Sequence, residues 1–181
     1  MSLQENVIKQ ISDFLMSDEK GMLITGTHQF KKHRIVMHTI NKIHNRKLIL
    51  LRTNSMGMVK EHLKGLMKRQ PKAGERFKLG NNVYEFDSFN TSSTWHKTNH
   101  NFSIVIVYPI DAIARGDVSM ECIEDLFQFK EFDKIIFISW TDNLVNDYSK
   151  FDKYVNRKCV YDADDTKYHE RVLETIHTKG L

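Results

Sequence analysis

Cysteine and proline are scarce in this chain of 181 residues, which holds two of each. Cys122 and Cys159 stand far apart in no metal-ligand spacing, so inert, reduced thiols are expected and a disulfide framework is excluded. With two prolines and eight glycines the composition does not support long disordered linkers. No apolar run reaches the roughly 20 residues that cross a bilayer. The opening MSLQENVIKQ lacks the charged and apolar regions of a secretory signal, so a cytoplasmic protein without a membrane partner is expected. There is no internal repeat, no G-x-S-x-G elbow, no H-E-x-x-H helix and no regular calcium loop, and no metal site is expected from such motifs.

Acidic residues are also missing, but only locally. Between Gly21 and Lys60 there is no Asp or Glu, while Lys31, Lys32, Arg34, Lys42, Arg46, Lys47, Arg52 and Lys60 are joined by four histidines. From Glu121 to Glu174 the balance reverses to thirteen acids against eight bases, within a net charge of +4. If the basic residues share a face, they suit nucleic acid, nucleotide phosphates or an acidic partner. Scattered over helix faces, they are an ordinary solvated surface.

What is present reads as a packed α/β chain, 40% hydrophobic, with 11 Phe and 6 Tyr, and of a length for one domain. Its organising stretch is GMLITGTHQFKKHRIVMHTINKI, from Gly21 to Ile43. Met22, Leu23 and Ile24 make a short apolar strand, and Val36, Ile40 and Ile43 recur at helical intervals after a polar turn. Lys31, Lys32 and Arg34 crowd the first helical turn, where positive charge opposes the macrodipole unless an anion is received there.

The segment GTHQFKKH, from Gly26 to His33, can be laid on the phosphate-loop pattern G-x-x-x-x-G-K-[ST]. Gly26 takes the first glycine and Lys32 the lysine, whereas Lys31 replaces the second glycine and His33 the hydroxyl residue. On these residues the chain resembles a degenerate P-loop NTPase of the RecA and AAA kind. The resemblance implies a three-layer α/β sandwich with a mostly parallel central sheet. It implies ATP or GTP with Mg²⁺ as cofactor, bound at Gly26, Lys31, Lys32, His33 and Arg34. It further points to Asp111, after the apolar run FSIVIVY, as the carboxylate that organises metal-bound water, with Asp87 as a competitor. By the same resemblance Thr141 and Asp142, after KIIFISW, stand where that family senses the γ-phosphate. Turn and helix caps explain these residues equally well. The missing glycine removes close backbone approach and the missing hydroxyl a Mg²⁺ ligand, so weak or no hydrolysis is expected.

Around this stretch the periodicity predicts helices over 3–15, 58–68 and 119–129, and a last one with Tyr168, Val172, Leu173 and Ile176 inward. Strands are predicted at 47–51, 102–108 and 134–140, with a hairpin of 75–79 and 83–87 and an edge strand at 158–161. The helix over 58–68 would align Lys60, Lys64 and Lys68, with Arg69 beyond, as a contact for a nucleic-acid backbone or a plain solvated face. Trp95, beside His96 and Lys97, is either a base-stacking residue or a pin holding its loop to the core. Asp162, Asp164 and Asp165, with His169 and Glu170 one turn on, read as an acidic helix start before a metal site.

Two functions follow as expectations. One is a nucleotide- or nucleic-acid-backbone-binding domain in DNA or RNA transactions. The other is a non-catalytic interaction module whose basic half docks an acidic protein or a second copy of itself. A metal-dependent nuclease built from Glu85, Asp87 and Lys97 lacks a convincing ligand spacing.

Overall fold

The computed structural model describes residues 1–141, 145–163 and 166–179, the side chains of 166, 168 and 175–179 excepted. Its apolar runs become strands β1 (Gly21–Thr25), β2 (Leu48–Thr53), β3 (Phe77–Leu79) and β4 (Asn82–Ser88). Then come β5 (Asn101–Val107), β6 (Glu131–Ile138) and β7 (Arg157–Val160). They pair in the order β3-β4-β2-β5-β6-β1-β7. Only the β3–β4 hairpin is antiparallel. Parallel strands covered on both faces need apolar side chains on both, which is why β5 and β6 carry almost no polar alternation.

Helices α1 (Leu3–Met16), α2 (Lys32–Ile43) and α3 (Val59–His62) precede the hairpin; α4 (Asp111–Arg115), α5 (Glu121–Phe129) and α6 (Thr166–Lys179) follow it. Alternation along β1 splits the core in two. Met22 and Ile24 join Val7, Ile11 and Phe14 of α1 and Val36 and Ile40 of α2, while Leu23 joins Ile113 of α4 and Ile123 and Leu126 of α5. The result is a three-layer α/β sandwich. At the start of α1, Ser2 and Glu5 form a reciprocal capping box, an arrangement worth about 1 kcal/mol. Among the described residues no helix is long and apolar enough to cross a membrane.

The helix expected over 58–68 does not form. A 3-10 turn at Met56–Met58 runs into α3, which stops at His62, and Gly65 adopts a φ of +85°. Leu63 and Met67 are pulled into the core instead. Lys60, Lys64 and Lys68 are therefore exposed but do not form a helical row. Arg69 is taken up by an ion pair with Glu75 and lies 4.6 Å over the Phe77 ring. Sequence periodicity also passed over α4, whose five residues are too few to show a period and which ends on Gly116 in a left-handed cap. Val172 on α6 is buried, whereas the Tyr168 and Ile176 side chains lie outside the described residues.

Trp95 is a pin. Half-buried, it donates its indole N–H to the Ser88 carbonyl at 2.7 Å and covers the Arg52 guanidinium at 4.9 Å. Asp87 is equally structural. Its carboxylate is fully buried and accepts two bonds from Arg52, at 2.9 and 2.8 Å, which withdraws it from any role as a metal-organising acid. Glu85 is likewise held, by Arg76 at 3.0 Å and the Asn99 N–H at 2.7 Å.

Candidate phosphate-binding site

Parallel strands β2, β5, β6 and β1 all end on one edge of the sheet, the edge where α/β folds place their ligands. At the end of β1 the chain turns on Gly26, whose φ of +116° is left-handed. A Cβ added there would collide with the Tyr161 backbone after β7, so only glycine lets the two segments meet this closely. Six residues later α2 begins at Lys32, with Lys31 as an N-cap that makes no side-chain cap bond and no acid in the first turn. The N–H groups of that turn lie ahead of the first helical bond, Ile35 N–H to Lys31 carbonyl at 2.9 Å.

Of the predicted loop residues, Lys31 and Arg34 are exposed and Lys32 is fully buried. The Lys32 ammonium turns back, donating to the Gly26 carbonyl and to the Trp140 carbonyl at 3.2 Å. It thereby ties the loop to the end of β6. Asp111 grips the same peptide from the other side, accepting the Trp140 N–H at 2.7 Å and the Thr141 N–H at 3.0 Å. Burial raises the Asp111 carboxyl, opposed by those two N–H groups and by the Lys32 charge. Lys32, Asp111 and Thr141 are thus brought together through the backbone of Trp140. Asp142 lies outside the described residues.

His33 departs most from the phosphate-loop pattern. Its Nε2–H donates to the His62 carbonyl at 2.7 Å, and its ring stacks on Tyr108 at 4.4 Å. That bond fixes the neutral tautomer, and Nδ1 is left without a hydrogen-bond partner. Burial lowers the His33 pKa from 6.5 to about 4. The neighbouring His62 donates in turn to Asn54 at 3.0 Å. Arg34 reaches the Lys64 carbonyl at 2.5 Å.

Sequence reasoning missed the groups that close the loop. Thr27 donates its N–H to Asp162 Oδ1 at 2.9 Å and sets its hydroxyl 3.2 Å from the same atom. The hydroxyl also receives the Ala163 N–H at 3.0 Å and lies 2.8 Å from His169 Nδ1. The His28 N–H is donated to the Tyr161 carbonyl at 3.1 Å. Asp162 and His169 were visible only as members of an acidic helix start, because β7 brings them to Thr27 from the far end of the chain. Asp164 and Asp165 lie outside the described residues.

The donor set does not fit Mg²⁺. The hydroxyl position holds a neutral imidazole engaged with a carbonyl, and the Asp111 carboxylate is buried on two backbone N–H groups. Among the described residues no three His, Cys, Asp or Glu side chains are placed to share a metal. Phosphate fits better, because a glycine turn, a helix N-terminus and a buried ammonium meet at one strand end.

The mostly parallel seven-stranded sheet with helices on both faces is a three-layer α/β fold, with this strand, loop and helix at one of its edges. No family model and no curated protein matches the sequence. Among solved structures, its fold is similar to that of the large terminase of a thermophilic bacteriophage, with a TM-score of 0.58 at 11% identity. The match covers 91% of this chain and 48% of that one. A second structure of this terminase, in complex with ADP, gives a TM-score of 0.55 at 12% identity over 94% of this chain and 48% of the other. The chain therefore spans about half the length of these terminase chains, and at such identity the likeness is one of fold.

Proposed function

We propose that this chain is a single domain that binds nucleotide phosphates, of ATP or GTP, at the loop from Gly26 to Arg34. It acts in DNA or RNA transactions in the cytoplasm with little or no metal-dependent hydrolysis. The observation that carries this reading is the buried Lys32 ammonium turned onto the Gly26 carbonyl at the start of an acid-free helix. A phosphate would take over the ammonium, the N–H groups of the first α2 turn and the exposed Arg34 guanidinium. The fold's likeness to a terminase solved with ADP supports the choice of ligand. The lost hydroxyl at His33 supports the absence of turnover.

Thermal unfolding with ATP, ADP and GTP, each with and without Mg²⁺, tests it, because a ligand that binds only the folded state raises the melting temperature. The wild-type chain is expected to be stabilised equally with and without Mg²⁺. Lys32→Met and the surface variant Arg34→Ala should each lose most of that shift, Arg34→Ala without a change in basal stability. Shifts unchanged in both variants would sink the assignment.

The Asp162 carboxylate on Thr27 favours a second reading, in which the loop has closed on an internal anion and the fold serves as an interaction module. No nucleotide then shifts the melting temperature, and a salt-sensitive association with an acidic protein or a second copy takes its place.

A further inference from the structure

Beside the phosphate loop, on the same sheet edge, a cleft of about 480 Å³ opens between the start of α2, the end of β2 and Trp140. Phe30 and Trp140 stand at it with 60% and 41% of their surface exposed, their rings edge-on at 6.1 Å. Side chains of this size normally gain about 1.5–3 kcal/mol by burial, so two of them left open side by side mark a binding surface. Further in, the Tyr108 ring is stacked on His33. Arg34 and Lys64 line the same cleft, and Glu61 is its one acid among the described residues.

An aromatic slot bounded by cations matches one chemistry: a flat heteroaromatic ring joined to a phosphate. We propose that the cleft takes an unpaired base of single-stranded nucleic acid, stacked on Trp140 with the Phe30 ring against its edge, and with the adjoining phosphates on Arg34 and Lys64. Base stacking on aromatic side chains with Lys and Arg along the backbone is the general mode of single-strand binding. A duplex keeps its bases inside and offers the slot nothing but phosphate. An acidic peptide satisfies the cations yet leaves both aromatic rings in water. Asn54, His62 and Glu61 give the slot a polar wall for base edges. The proposal does not depend on nucleotide binding at the Gly26 loop.

Fluorescence anisotropy with a labelled oligothymidylate and a labelled duplex of equal length tests it. The wild-type chain is expected to bind the single strand more tightly than the duplex. Trp140→Ala and Phe30→Ala, both at exposed positions, should each weaken single-strand binding about tenfold. Arg34→Glu should weaken it and flatten its salt dependence. Lys158→Ala, on the edge strand β7, should leave it unchanged. Duplex binding that equals or exceeds single-strand binding, or single-strand binding that is indifferent to both aromatic variants, overturns the proposal. So does full displacement of the strand by ATP, which would give the cleft to the loop's own nucleotide. Absence of single-strand binding in the wild type would also overturn it and leave the cleft to a protein side chain.

Discussion

At the scale of single residues, His33 shows how one substitution in a motif redirects a site. A small hydroxyl there would face a phosphate-bound metal; an imidazole instead stacks on Tyr108 and hands its N–H to the His62 carbonyl. Its folded-state pKa, lowered from 6.5 to about 4, means that the unfolded chain binds this proton first. Stability is therefore complete above pH 6.5 and falls as the pH drops from 6.5 toward 4. A shift of this size amounts to about 3 kcal/mol. Urea denaturation across that range should show the loss, and His33→Phe should remove much of it. A remnant from His62 is expected, since burial lowers its pKa as well. An acid limb identical in His33→Phe would place the titration elsewhere. The sequence marked His33 as the odd residue of the motif, but its partners, Tyr108 and His62, belong to other elements.

Elements show a sharper division between what could be read and what could not. Strands β1, β5 and β6 and helices α1, α2 and α5 were legible because each buries enough side chains to show a period. The predicted helix over 58–68 failed because Gly65 takes a positive φ and Leu63 and Met67 follow the core, not a helical face. The loop itself is a joint product of two segments: Gly26 turns under Tyr161, and Thr27 is held by Asp162. Gly26→Ala is accordingly expected to destabilise the fold by more than about 2 kcal/mol, from left-handed strain and from collision with β7's continuation. A denaturation midpoint equal to wild type would show that the Tyr161 backbone does not constrain this turn.

At the scale of the whole molecule, a buried ionic knot joins parts of the chain that no local pattern connects. Arg52 of β2 pairs with Asp87 of β4 and with Asp125 of α5 at 2.8 Å, and donates to the Cys122 carbonyl at 2.6 Å. Its guanidinium is fully buried beneath Trp95. Breaking such a pair from one side strands a charge in the core, so Asp87→Ala should lower unfolding free energy by about 3–5 kcal/mol. Chemical denaturation measures it; a loss under 1 kcal/mol, roughly the worth of an exposed ion pair, would mean that Arg52 finds water or another acid. Arg52 was read as one more member of the basic stretch, and Asp87 as a catalytic candidate, because sequence shows charge and not its partner.

By itself the sequence determined the layer architecture and the chemistry available at one sheet edge. Apolar period and β-branched runs decide which segments become strands and helices, and these are local properties of the chain. It also placed a glycine and a lysine at the phosphate-loop spacing. Only the tertiary structure decided what those residues face: the Lys32 ammonium between the Gly26 and Trp140 carbonyls, Asp162 on Thr27, and Phe30 beside Trp140 at a cleft mouth. Apart from the Lys32 bond to Gly26, each of these contacts joins segments that are distant in the chain. Burial and hydrogen-bond geometry, which fix pKa values and partners, exist only once the sheet order has brought those segments together.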